Sequence, residues 1–372
     1  MMDARYRVEE IENILSPSLV IFRDLVDENL RRMIAIAGNP ERLRPHCKTH
    51  KMPAATQIEL AAGIVRHKCA TLAEAEMLAE SGVKDIILAY QMVGPNIRRA
   101  VEFRKRYPHV KFGVIIDHPT PVSELSTAIS AAGRDIDVLL DIDTGQHRTG
   151  IVVGDEAERL YELIHASPGL NAAGFHVYDG HQHQTDFEER RAAVLAEFNQ
   201  VLDFRGRLRD KNLPVPTVIC GGTGSFPVYA QVDDPEIELS PGTCLFHDQG
   251  YTDLFPDLKF IPAALLLTRV VSRPTSDRVT FDLGYKAVAS DPPAGKRLVL
   301  PEIPDAEMIL QNEEHLVVKT ALADRYQPGD HTWAIPRHIC PTSALHKSVT
   351  VVQNGGVVEK WDVSARDRQL TI

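Results

Sequence analysis

The chain has 372 residues, 44% of them apolar and 25% charged, which is a globular composition with material for one large domain and a smaller one and argues against disorder. A formal charge of −10 without any long Lys/Arg run argues against a nucleic-acid partner. No apolar run approaches the ~18 residues of a membrane span, and residues 1–6 show neither an apolar core nor a cleavage pattern, so the expectation is a soluble cytoplasmic protein.

In chain order, Ser-Leu-Val-Ile-Phe at 18–22 is an early strand. Then comes Arg44-Pro45-His46-Cys47-Lys48-Thr49-His50-Lys51, which reads as the end of a strand. Alternation on that strand puts Arg44, His46 and Lys48 on one face. A purely structural strand would carry Val, Ile or Leu there. A lysine among other cations is an amine whose charge is expendable, and a neutral amine is what forms a Schiff base.

From 42 to about 243, short apolar runs alternate with segments of helical spacing. The predicted strands are 42–48, 64–70, 85–90, 111–116, 137–143, 172–178, 216–222 and 237–242. Between them, Leu72–Glu80 is rich in helix formers and stops at Gly82, where a C-terminal glycine is expected. Eight such units in ~200 residues predict an α/β chain whose parallel strands close into a (β/α)8 TIM-type barrel, with an open doubly wound sheet as the alternative.

Strand ends carry the chemistry in such barrels. After the fifth strand, Asp143-Thr144-Gly145-Gln146-His147-Arg148-Thr149-Gly150 sets an arginine in a glycine-bracketed loop, either to cap a helix or to meet an anion. The sixth ends in His176-Val177-Tyr178-Asp179-Gly180-His181-Gln182-His183, with His176 and Tyr178 on one face. After the seventh, Gly221-Gly222-Thr223-Gly224-Ser225 is a plain turn or a phosphate cradle, and its place opposite Lys48 favours the cradle.

Beyond 255 the texture becomes β-branched runs at 265–272, 278–283, 315–320, 332–335 and 348–353, and Asn354-Gly355-Gly356 signals a hairpin. The predicted domains are therefore an N-terminal segment 1–25 that joins the β-rich part, a barrel over 26–250, and a C-terminal β domain over 251–372. Within the last, Pro336-Arg337-His338-Ile339-Cys340-Pro341-Thr342 reads as extended, so that His338 and Cys340 face one way as a soft-metal pair would. The plain alternative is a core cysteine beside a surface histidine. Five cysteines without paired spacings fit a reducing compartment.

Together these segments, over nearly the whole chain, resemble the fold-type III pyridoxal-phosphate enzymes, and within them the family of eukaryotic-type D-serine dehydratase and D-threonine aldolase. The resemblance implies that Lys48 carries pyridoxal 5'-phosphate and acts as base. It implies too that His46, Arg148 and Tyr178 lie beside the cofactor, that Gly222, Thr223 and Gly224 bind its phosphate, and that His338 and Cys340 hold a divalent metal, Zn²⁺ before Mn²⁺ or Mg²⁺. The implied activity is a lyase on small D-3-hydroxy amino acids, in a homodimer. Cysteine at 340 matches the dehydratase pattern and favours elimination to a 2-oxo acid and ammonia. The alternative is retro-aldol cleavage to glycine and an aldehyde, with His181 or His183 taking the hydroxyl proton. Further from this are a racemase using Tyr285 or Lys286 as second base and a non-catalytic cofactor carrier.

Overall fold

In the computed structural model, which describes residues 3–372, the chain forms two compact units. One contains Ile34–Lys48, Ala54–Gly242 and Asp367–Ile372; the other contains the residues up to Met33, Thr49–Pro53 and Thr243–Arg366.

Strand β1 (Ser18–Phe22) and helix α1 (Arg23–Ala37) come first. The barrel strands are β2 (Arg66–Cys69), β3 (Asp85–Gln91), β4 (Lys111–Ile116), β5 (Ile136–Ile142), β6 (Leu170–Val177), β7 (Val218–Cys220) and β8 (Ile237–Leu239), all parallel and paired in chain order. Their helices are α2 (Pro53–Ala61), α3 (Leu72–Glu80), α4 (Pro95–Arg106), α5 (Pro119–Ala131), α6 (Asp155–Ala166), α7 (Phe187–Asp210) and α8 (Phe226–Ala230). Caps fix where these begin. Thr71 accepts from the Glu74 N–H ahead of α3, and Asp186 accepts from the Glu189 N–H ahead of α7.

Seven strands alone would leave an open sheet. The gap is closed by residues 43–46, through parallel bridges Leu43 to Leu239 and His46 to Lys68. Arg44 N–H donates to Leu239 and His46 N–H to Pro241, while the Pro45 carbonyl accepts from Lys68 N–H. The predicted first strand 42–48 is thus shorter than expected. Pro45 has no N–H to give the ladder, and short 3₁₀ turns at Pro40–Arg42 and Cys47–Thr49 bound the segment.

Ile87, Ile115, Leu139 and Ile219 pack into the barrel interior. At the N-terminal end of the strands the buried Arg44 pairs with Asp85 at 2.8 Å and with Glu238. Burial opposes that charge, but the two carboxylates outweigh it and hold the guanidinium above its usual value. This corrects the sequence reading: Arg44 is tied into the closed end of the barrel and does not share a face with Lys48, which lies beyond the stave in the 3₁₀ turn.

The other unit carries a nine-stranded mixed sheet. After α9 (Gln249–Leu254) it runs through β9 (Ala264–Thr275), β10 (Arg278–Phe281), β11 (Leu298–Val299), β12 (Glu307–Gln311), β13 (Leu316–Lys319), β14 (His331–Pro336), helix α10 (Ile339–Leu345), β15 (Ser348–Gln353) and β16 (Gly356–Asp362). β1 sits between β9, antiparallel, and β15, parallel. Asn354 and Gly355, with φ of 51° and 84°, make the tight hairpin turn that Asn-Gly prescribes.

Candidate active site

A cavity of about 540 Å³ opens where the barrel strands end, lined by His46, Lys48, Lys68, Arg148, His176 and Tyr178 among others. Three cations converge on one ring. The Lys48 amine lies 5.8 Å, the Lys68 amine 6.0 Å and the Arg148 guanidinium 4.9 Å from the centre of Tyr178. His46 is buried and its Nδ1 accepts from the Lys48 N–H at 3.4 Å, so it orients the lysine turn from within the stave.

Local hydrogen bonds explain how Arg148 is presented. Asp143 Oδ1 accepts from the N–H groups of Gly145 and His147, folding the loop back on its start. Gly150 N–H is taken by Asp117 Oδ2 at 2.8 Å, and Ile151 bridges back to Ile142.

The loop after β7 has the form of an anion cradle. Gly221 stands at φ +75°, and a Cβ on Gly222 would press on the Tyr178 ring at 3.0 Å, so backbone there comes close to the aromatic face only because a side chain is missing. Buried Asp179 supports the loop by accepting from Ser225 Oγ at 2.7 Å and from Tyr229 OH at 2.9 Å, and Ser225 Oγ accepts in turn from Gly222 N–H. Burial raises the Asp179 pKa, partly offset by those two hydroxyls. Buried Arg190 donates to the Gly224 carbonyl at 3.0 Å, and Thr223 Oγ1 accepts from Gly242 N–H, joining the loops after β7 and β8. A flat aromatic floor, an amine and a glycine loop free of side chains at 222 and 224 fit a phosphorylated aromatic cofactor.

Among the residues that the sequence singled out, His46, Lys48, Arg148 and Tyr178 come together in this cavity. His181 and His183 do not line it. His181 Nε2 lies 3.0 Å from Glu197 Oε1 in a side cluster with Gln182, and His183 is exposed. Lys286 is paired with Glu313 at 2.5 Å and Glu314 at 3.2 Å.

Lys68 is the residue missed from sequence. It is 2% exposed, near the end of β2, with its amine 3.4 Å from His176 Nε2. Burial, then the Lys48 charge, bring it down to about 7. Its signal was present: within 64–70 a lysine falls where a barrel strand buried on both faces should have an apolar residue.

The second unit holds His338 and Cys340, but not on an extended segment. His338 is the N-cap residue of α10 and Cys340 lies in its first turn, where Pro341 is tolerated because the N–H groups there have no partner within the helix. The pair still interacts: burial opposes protonation of His338, but its bond to Cys340, the thiolate charge and Asp291 outweigh this and raise it to about 9. His338 Nδ1 is 2.5 Å from Asp291 Oδ2, so Nε2 is the ring nitrogen that would be offered to a metal beside Cys340. Thr49 Oγ1 lies 3.1 Å from the Cys340 sulfur, and Asp248 Oδ2 accepts from Ile339 N–H. Among the described residues no cluster of three or more His, Cys, Asp or Glu forms, so these two donors would leave positions open on a bound cation.

The chain is similar to known proteins over most of its length. Residues 21–249 match the alanine racemase N-terminal domain family, and 263–352 match the serine dehydratase domain family. The chain is 31% identical to D-threonine aldolase of Arthrobacter sp over 96% of its length and 94% of that protein. It is 24% identical to D-threo-3-hydroxyaspartate dehydratase of Delftia sp. strain HT23, over 93% and 96% of the two chains. The crystal structure of D-threonine aldolase from Filomicrobium marinum superposes with a TM-score of 0.88 at 30% identity, over 95% of this chain and 96% of that one. The chain therefore belongs to the fold-type III pyridoxal-phosphate enzymes, as a lyase of D-3-hydroxy amino acids with an alanine racemase-type barrel and a serine dehydratase-type C-terminal domain.

Proposed function

We propose that this lyase cleaves small D-3-hydroxy amino acids between Cα and Cβ, giving glycine and an aldehyde. In this reading the barrel, residues 26–250, is the cofactor domain and 251–372 carries the metal pair, with 1–25 joining the latter. The observation that carries the reading is the cavity itself, in which two lysines and an arginine surround the Tyr178 ring and His46 and His176 complete the wall.

Lys48 would hold the cofactor covalently, with its turn oriented by His46. Arg148 places a permanent positive charge over the ring region, where it favours an anionic oxygen. Gly222, Thr223 and Gly224 would receive the phosphate, and Ser225, Asp179 and Arg190 keep that loop in shape. The cofactor supplies an electron sink for the pair left on Cα. A divalent metal on His338 and Cys340, Zn²⁺ by donor type, supplies Lewis-acid polarisation of a hydroxyl oxygen.

Two relatives at 31% and 30% identity carry D-threonine aldolase names, which supports carbon–carbon cleavage. Dehydration to a 2-oxo acid and ammonia is the second reading, favoured by the cysteine at 340 and by a relative at 24%. Incubation with D-threonine and Zn²⁺ or Mn²⁺, followed by product analysis, tests the choice. Glycine with acetaldehyde supports the first reading, and 2-oxobutanoate with ammonia replaces it by the second.

The proposed setting is a cytoplasmic homodimer. Five free cysteines, four of them buried, fit a reducing compartment, and no described helix is long and apolar enough to cross a membrane. Exposed Ile309, Leu310, Val357 and Val358 offer apolar surface to a second copy.

A further inference from the structure

The cavity contains a relay that the cofactor-binding lysine does not need. His176 and Asp141 are buried, with His176 Nδ1 2.7 Å from Asp141 Oδ1, and the other Asp141 oxygen accepts from Gln91 Nε2 at 3.0 Å. The carboxylate takes the proton-bearing Nδ1, so Nε2 is left to accept from the Lys68 amine 3.4 Å away. Burial and the Lys68 charge keep this imidazole below its usual pKa and therefore neutral.

The amine of Lys68 is in the cavity wall, beside the same ring as Lys48. Burial is the largest cause of its pKa near 7; Lys48 and, more weakly, Arg44 act in the same direction, while Asp141 and Cys220 oppose them. Because burial leads, the amine stays easy to deprotonate after Lys48 is engaged. His181 is turned toward Glu197, His183 is exposed, and neither lines this cavity.

We propose that Lys68 is a second catalytic amine, the base that takes the substrate's β-hydroxyl proton as the Cα–Cβ bond breaks. This rests on the retro-aldol reading. The Lys68 lone pair takes the hydroxyl proton, the O–H electron pair becomes the second bond of the aldehyde carbonyl, and the Cα–Cβ pair departs on Cα. The proton then returns from Lys68 to Cα, giving glycine, so neither an oxidant nor a net proton is consumed. Asp141 and His176 act as positioning residues that hold the amine at the wall.

The test uses metal-loaded holoenzyme with D-threonine, comparing wild type, Lys68→Ala and Lys68→Met, with products, pH profile and visible spectrum recorded. Lys68→Ala should keep the band of lysine-bound cofactor while kcat falls about 10²- to 10⁴-fold, the span of a lost general base. Added ethylamine should restore turnover in proportion to its concentration. Lys68→Met, which fills the space, should show the same loss without rescue and without an acid limb near pH 7. A Lys68→Ala enzyme within about threefold of wild type, or one that keeps the band and responds to no alkylamine, overturns the role. Should the alanine variant lose the band, Lys68→Met decides alone, and near-normal turnover there overturns it. Wild type that yields 2-oxobutanoate and ammonia removes the retro-aldol reading and this role with it, an outcome that product analysis separates from failed rescue.

Discussion

The amine of Lys68 lies 3.4 Å from Nε2 of His176, inside a barrel whose mouth already holds the amine of Lys48 beside the same tyrosine. Two lysines within reach of one ring need different roles. One is placed on a turn and the other is buried in a strand with an imidazole and a carboxylate behind it.

The division of labour is testable through Lys48. Lys48→Ala should lose the visible band of lysine-bound cofactor and at least 10³-fold in turnover, although Lys68 remains beside Tyr178. A variant that keeps the band would mean that Lys68, or another amine, carries the cofactor.

Acid should act on Lys68 in a defined window. Its pKa near 7 lies below the ordinary lysine value of ~10.4, so the amine is active when neutral and kcat should fall as pH drops through about 7. Stability follows the same linkage. Between pH 7 and 10 the unfolded chain holds a proton on this lysine that the folded chain does not, so the fold gains stability as pH rises across that range. Lys68→Met should therefore raise the unfolding free energy at pH 7, by an amount on the order of a few kcal/mol, and the gain should shrink toward pH 10. Thermal melts at several pH values read both trends.

Gly222→Ala adds a methyl group that meets the Tyr178 ring at 3.0 Å. Cofactor affinity on reconstitution should fall about 10- to 100-fold, with little change in secondary structure by circular dichroism. Unchanged affinity would place the phosphate elsewhere.

Cys340→Ala should reduce bound metal and D-threonine turnover together and leave the cofactor band intact, as metal analysis and absorbance on the same sample would report. A simultaneous loss of the band would point to folding.

Removing Arg44 leaves Asp85 and Glu238 without their buried cation. Arg44→Met should cost about 3–5 kcal/mol in denaturant unfolding, the usual penalty for breaking a buried pair from one side.

Most of the barrel was legible because strands covered on both faces read as short apolar runs between capped helices, as at 111–116, where prediction and structure coincide. The stave at 43–46 was visible as a strand, but its end was not. Pro45 interrupts the ladder and the chain turns at Cys47, so alternation does not carry Arg44 and Lys48 onto one face. Spacing misled again at His338 and Cys340, since two residues apart reads alike on a strand and across a helix start. β11 and β12 escaped notice because they are short or largely exposed, with weak apolar signal. Lys68 carried a signal, as a lysine inside a barrel strand, but its neighbours masked it: in Arg66-His67-Lys68-Cys69 a run of cations looks like solvated surface, and the closed barrel shows that the lysine is interior.

Product analysis of the metal-loaded enzyme with D-threonine tests the account most directly. It predicts glycine and acetaldehyde in equal amounts, with turnover falling below pH 7; 2-oxobutanoate and ammonia in their place would contradict it.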